Sequence, residues 1–133
     1  MAVLGLISAC GQGNFENIDV QGFAELIADS SVVILDVRTA AEFAEGHIQG
    51  AILIDQGQSD FVEKAKAVLP IDKGGVRDVD NIAEGTRIAI YCRSGRRSAN
   101  AAGKLGEVGY KCVNLKGGII AWKEAGKPVN TGR

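Results

Sequence analysis

No apolar run in the 133-residue chain approaches the roughly 20 residues a membrane span needs, so a transmembrane helix is excluded. Nor is one sign of charge in excess. Fifteen Lys and Arg stand against 16 Asp and Glu, a formal net charge of −1, and no global field draws the chain to nucleic acid. Cysteine is scarce. Cys10, Cys92 and Cys112 are separated by long gaps, which argues against a disulfide framework and against a paired-cysteine metal or redox site. Histidine occurs once, at His47. What the chain does have is 46% apolar and 23% charged residues, the balance of one ordinary globular domain with material for a core. Its 18 glycines exceed the usual share of about 7% and come singly or in pairs, a pattern of tight turns between short elements.

The first ten residues, MAVLGLISAC, are mostly apolar, and the polar stretch GQGNFEN follows. Ile7-Ser8-Ala9-Cys10 resembles a bacterial lipoprotein cleavage box, in which Cys10 would carry lipid. The basic residues that open a secretory signal are missing before it. A loosely docked tail is the other reading. Residues 1–17 are therefore set apart from the fold. The expected compartment is cytoplasmic, or exported and lipid-anchored if Cys10 is a lipoprotein cysteine.

Within residues 21–28, Phe23, Leu26 and Ile27 recur at helical spacing. Residues 31–37 contain the run Val32-Val33-Ile34-Leu35, which predicts a strand buried on both faces. Thr39, with Glu42 three residues on, has capping-box spacing and predicts a helix over 40–45 that ends at Gly46. Residues 51–54 read as a strand. Ser59 is placed to cap a helix over 60–69, with Phe61, Val62, Ala65, Val68 and Leu69 on one face and Pro70 as its stop. Residues 70–86 are polar, a loop or a short irregular helix. A strand follows at 87–91, a helix at 96–108 with Ala99, Ala102 and Leu105 inward, a strand at 111–115, and a helix at 119–124 after Gly117-Gly118. Strands alternating with helices predict an α/β domain over 18–128 with a mostly parallel sheet of about five strands, and 129–133 as a C-terminal tail.

Ligands of such sheets bind outside the carboxyl ends of the strands. There the chain places Cys92-Arg93-Ser94-Gly95-Arg96-Arg97-Ser98. A thiolate where a strand gives way to a helix is stabilised by unpaired N–H groups and the helix dipole. Arg93, Arg96 and Arg97, with no acid among them, favour an anionic substrate. Gly95 lets the backbone curl so that successive N–H groups form an anion-binding nest. Ser94 and Ser98 add hydroxyl donors at the rim or the helix start. Nucleophile, nest and helix terminus together point to covalent catalysis at Cys92.

Three stretches resemble the signatures of the single-domain rhodaneses, a sulfurtransferase family. Leu35-Asp36-Val37-Arg38, Glu42-Phe43, Gly46-His47-Ile48 and Gly50-Ala51 resemble the first, LDVR…EF…GHI.GA. Residues 90–98 resemble the active-site loop, YCxxGxRS, and Gly117-Gly118 with Trp122 the closing GG…AW. The resemblance spans about residues 18–128. It implies a three-layer α/β/α rhodanese-like domain and a reaction without metal or cofactor. The Cys92 thiolate would take the outer sulfur of a donor such as thiosulfate, and a second nucleophile (cyanide, a thiol or a protein) would remove it. Arg93, Arg96 or Arg97 would hold the anionic donor. In this superfamily the sulfur-transferring members have an arginine five residues after the cysteine, whereas the dual-specificity phosphatases and arsenate reductases have one residue more. Arg97 is five after Cys92. A carrier module loaded by a partner protein would present the same residues.

Asp36 and Arg38 end a strand at the same sheet edge and are expected to support the site, Asp36 through an active-loop arginine or a local ion pair. Glu42 reads as a helix-start or ion-pair residue, His47 as a structural histidine and Trp122 as core. Cys112 reads as a buried thiol, a resolving cysteine only if the fold sets it beside Cys92.

Overall fold

A computed structural model describes residues 15–69 and 87–132. Five strands, β1 (Phe15–Ile18), β2 (Val33–Asp36), β3 (Ile52–Leu53), β4 (Arg87–Tyr91) and β5 (Lys111–Leu115), form one sheet in the order β1-β5-β4-β2-β3. Every pairing in it is parallel. Between them lie the helices α1 (Val20–Ile27), α2 (Ala40–Glu45), α3 (Phe61–Val68), α4 (Arg96–Glu107) and α5 (Gly118–Glu124).

β4 is the central strand because its sequence suits burial on both faces. Ile88, Ile90 and, just beyond the strand, Cys92 join a cluster with Phe61, Ala65, Ala101, Ala102 and Leu105, the faces of α3 and α4. Ala89 and Tyr91 alternate to the other side, among Phe23 of α1 and Ile119 and Trp122 of α5. Two cores thus sandwich one sheet. Each fully buried isoleucine in β4 contributes roughly 1.5–3 kcal/mol relative to exposure. The expected α/β architecture and strand number are what the structure shows.

The differences from expectation lie at the edges. Residues 15–17, set aside with the N-terminal tail, belong to β1, which pairs Phe15 with Cys112 and Ile18 with Leu115. FENI lacks the signal of a buried strand because an edge strand needs only one apolar face, and Glu16 and Asn17 are exposed. α1 starts at Val20, since Asp19 caps it by accepting from Gly22 N at 2.9 Å. Ser59 does not cap α3: the helix begins at Phe61, and Asp60 holds the cap position without a side-chain bond. Val68, expected inward, is 54% exposed, while Phe61, Ala65 and Leu69 are buried. Residues 129–132, read as a tail, dock instead: His47 and Asn130 exchange backbone hydrogen bonds of 2.8 and 2.7 Å, and Gly132 N donates to Ala44 O. The reading of residues 70–86 and of Cys10 lies outside the described residues.

Candidate active site

β4 delivers its chain to the carboxyl edge of the sheet, and Cys92–Gly95 turn it into α4. Cys92 is fully buried. Its Sγ accepts a hydrogen bond from Gly95 N at 3.1 Å and lies 3.3 Å from Ser98 Oγ. Gly95 reaches back to the sulfur because its φ is +103°, a left-handed value that glycine adopts without strain. It is also the N-cap of α4, so the sulfur rests on the positive end of a twelve-residue helix. The expected ring of inward amides is narrower than the sequence implied. Among the described residues one amide donates to Sγ, and the Ser98 oxygen lies beside it with its proton turned to Asn114.

α5 holds the turn from behind. Ile119 N donates to Cys92 O at 2.9 Å and Ile120 N to Arg93 O at 3.2 Å. This approach needs a bare α-carbon at Gly118, whose φ is +61°. A Cβ there would overlap the Arg93 carbonyl and lie 2.7 Å from Cys92 O. The glycine pair so far downstream in sequence is therefore part of the cysteine turn.

The three loop arginines part company. Arg93 and Arg96 are exposed, as is Ser94. Arg97 is partly buried and grips both carboxylate oxygens of Glu42, at 3.0 and 2.8 Å. Glu42 simultaneously closes the capping box of α2 with Thr39. The Arg97 hydrogen bonds, with lesser help from Thr39, hold its carboxyl down at about 2. The acid that pairs with the loop is thus Glu42, and Asp36 makes the local ion pair. Arg38 binds Asp36 through Nε and Nη2, the latter at 2.6 Å, and donates to Gly46 O.

A family model, the rhodanese-like domain, matches residues 19–125. The chain is 35% identical over 114 residues to a sulfurtransferase of Allochromatium vinosum, covering 84% of this chain and 92% of that one. It is 32% identical to thiosulfate sulfurtransferase 18 of Arabidopsis thaliana, over 81% of this chain and 79% of that protein. The crystal structure of a rhodanese-related protein from Thermoplasma volcanium superposes with a TM-score of 0.67 at 28% identity, covering 87% and 98% of the two chains. The chain belongs to the rhodanese-like domain family.

In this rhodanese-like domain the first signature is structural glue around Tyr91. The Arg38 guanidinium lies over the Tyr91 ring, 5.6 Å from its centroid, and the Tyr91 hydroxyl accepts from Ile48 N at 3.0 Å. Burial and the Asp36 carboxylate push the Tyr91 phenol well above its ordinary range, so it stays protonated. His47 stacks on Phe43 at 3.7 Å, and its Nδ1 bonds Phe43 O at 2.9 Å, the arrangement of a structural histidine. Trp122 is core and donates to Pro128 O. Burial pushes the Cys112 thiol up to about 12. Cys112 faces Ile88, four residues before Cys92 along β4, roughly 13 Å away at strand spacing, too far for the two cysteines to pair. Two residues outside every sequence motif, Asn114 and Asn17, also belong to the surroundings of the cysteine. Asn114, buried in β5, bonds Ser98, Gly95 and Asn17. Its only sequence signal is a polar residue in an otherwise apolar strand end. Among the described residues no helix is long and apolar enough to cross a membrane.

Proposed function

We propose that this chain transfers sulfane sulfur through a persulfide on Cys92. The carrying observation is a cysteine at the carboxyl end of the central strand, its Sγ bonded by the Gly95 amide at the N-terminus of α4. Thiosulfate supplies the sulfur in this reading. The Cys92 thiolate attacks the outer sulfur, a new S–S bond forms, and the old one breaks as sulfite leaves with its electron pair. A thiolate, cyanide or protein thiol then attacks the outer sulfur of the persulfide, and Cys92 departs as thiolate. Gly95 N–H and the α4 terminus stabilise the sulfur anion at both stages. Exposed Arg93 and Arg96 stand at the rim for the anionic donor, while Arg97 is occupied by Glu42. Sγ has no solvent exposure, so sulfur enters as the exposed turn at Arg93 and Ser94 yields.

The chain incubated with thiosulfate is expected to gain the mass of one sulfur atom and to turn over thiosulfate with cyanide. Cys92→Ser is expected to gain none, and Cys112→Ser to behave as wild type. Equal sulfur uptake by Cys92→Ser, or none by wild type with small or protein donors, ends the proposal. Slow loading from thiosulfate beside rapid loading from a protein persulfide would identify a carrier.

A further inference from the structure

Asn114 is 2% exposed, and both ends of its carboxamide are hydrogen-bonded. Its Nδ2 donates to Gly95 O at 3.2 Å and to Asn17 Oδ1 at 2.9 Å. A carbonyl can only accept, so the bond to Gly95 fixes which end of the amide is nitrogen. The other end, Oδ1, then faces Ser98 Oγ at 2.6 Å, and Ser98 must donate. Among the described residues, Gly95 N donates to Cys92 Sγ, and Ser98 Oγ, its proton committed to Asn114, lies 3.3 Å from the sulfur. One side chain on a neighbouring strand therefore holds both of these polar neighbours of the sulfur. It is itself anchored across to Asn17 of β1.

We propose that Asn114 is a positioning residue for the sulfur site, setting the Gly95 carbonyl and the Ser98 hydroxyl and through them the Gly95 amide and the Ser98 oxygen that face Cys92. The proposal rests on the sulfur-transfer reading. The hydrogen bonds of Asn114 go neither to the sulfur nor to the rim arginines, so it governs the rate of transfer and not the binding of the donor. The role needs a group that donates on one side and accepts on the other. Asn fits and ionised Asp does not. A carboxylate would turn an acceptor onto Gly95 O and push that carbonyl, and the adjoining turn, off the sulfur. Protonated Asp regains one donor, which Gly95 O can take, beside an acceptor for Ser98, in the same shape.

The test is Asn114→Asp in the full chain, with kcat and KM for thiosulfate normalised to the fraction of Cys92 that loads sulfur. At neutral pH kcat is expected to fall at least about tenfold with KM unchanged, as misplacement of catalytic contacts predicts. The ratio of variant to wild-type kcat is expected to rise as pH is lowered and the new carboxyl protonates. A purely structural loss would lower the loading fraction or the melting temperature and leave that ratio flat. Unchanged kcat, a raised KM with intact kcat, or a flat ratio overturns the proposal. Asn114→Ser, too short to reach Gly95 O, serves if the first variant does not fold. It is expected to lose rate at every pH, and a full rate overturns the proposal. If wild type loads no sulfur, the function reading has failed instead. The positioning role is then read from the alkylation rate of Cys92 by iodoacetamide, which needs no sulfur donor. There too the ratio of Asn114→Asp to wild type must shift with pH, or the proposal falls.

Discussion

Glu42 is held by Arg97 on one side and by the Thr39 cap on the other. Its carboxyl lies at about 2, below the ordinary 4.5, chiefly because Arg97 hydrogen-bonds the ionised form. Ionised Glu42 therefore stabilises the fold above the ordinary value, and the contribution fades as pH falls through about 2. The pair is a quarter to a third exposed, so its worth is on the order of 1 kcal/mol or less. Glu42→Gln keeps the capping geometry, because glutamine also reaches back to the cap. The variant is expected to be slightly less stable than wild type at neutral pH, with the gap closing in acid. Urea unfolding at a series of pH values checks it, and a gap that persists in acid contradicts the assignment. The same change releases Arg97 toward the cysteine loop, and KM for thiosulfate is expected to fall several-fold. Equal KM in both proteins would show that Arg97 does not reach the donor.

The turn after β4 is shaped less by its own residues than by α5 behind it. Gly118 lets the first turn of α5 donate to the Cys92 and Arg93 carbonyls, and no side chain fits between. Gly95 is less crowded: a Cβ there would lie 3.3 Å from Gly117 N and Leu115 O, at a φ of +103°. Gly95→Ala then costs about 1–3 kcal/mol of backbone strain. Gly118→Ala adds a backbone overlap to comparable strain and must force α5 and the cysteine turn apart. The expected order of melting temperature and of sulfur loading is wild type, then Gly95→Ala, then Gly118→Ala. Calorimetry and intact mass read it. The reverse order would mean that α5 does not set the turn. At this scale the three sequence signatures acquire one physical reason: they are the strand end, the turn and the helix that backs it.

The sheet as a whole explains why its N-terminal strand matters. β1 covers the edge of β5, and through Asn17 it also touches the network around Asn114. A chain starting at Asp19 would bare the β5 ladder with buried Cys112 and Val113 beside it. Such a chain is expected to self-associate and to lose sulfur-transfer rate. Light scattering and turnover check this, and a monodisperse, fully active product would show β1 to be dispensable. The opposite edge is short: β3 is two residues, Ile52 and Leu53, paired with Leu35 and Asp36. The C-terminal residues secure α2 from a third side, through the His47–Asn130 pair and the Gly132 bond to Ala44.

Local order determined much of this protein. The period of its apolar residues dictated alternating strands and helices, since burial on two faces demands continuous apolar runs such as Ile88–Tyr91. The Thr39 and Glu42 box and the cysteine-to-helix junction were equally local, because capping and turn chemistry act over three or four residues. Only the folded chain decided which distant groups meet. Arg97 chose Glu42 over Asp36 across 55 residues, and Asn114 found Ser98, Gly95 and Asn17. Asp36 was already taken by Arg38 two residues away. Whether an edge segment as short as Phe15–Ile18 joined the sheet was likewise settled by an open β5 ladder. Hydrogen bonds across strands depend on sheet order and register, and neither is written in the spacing of residues along one strand.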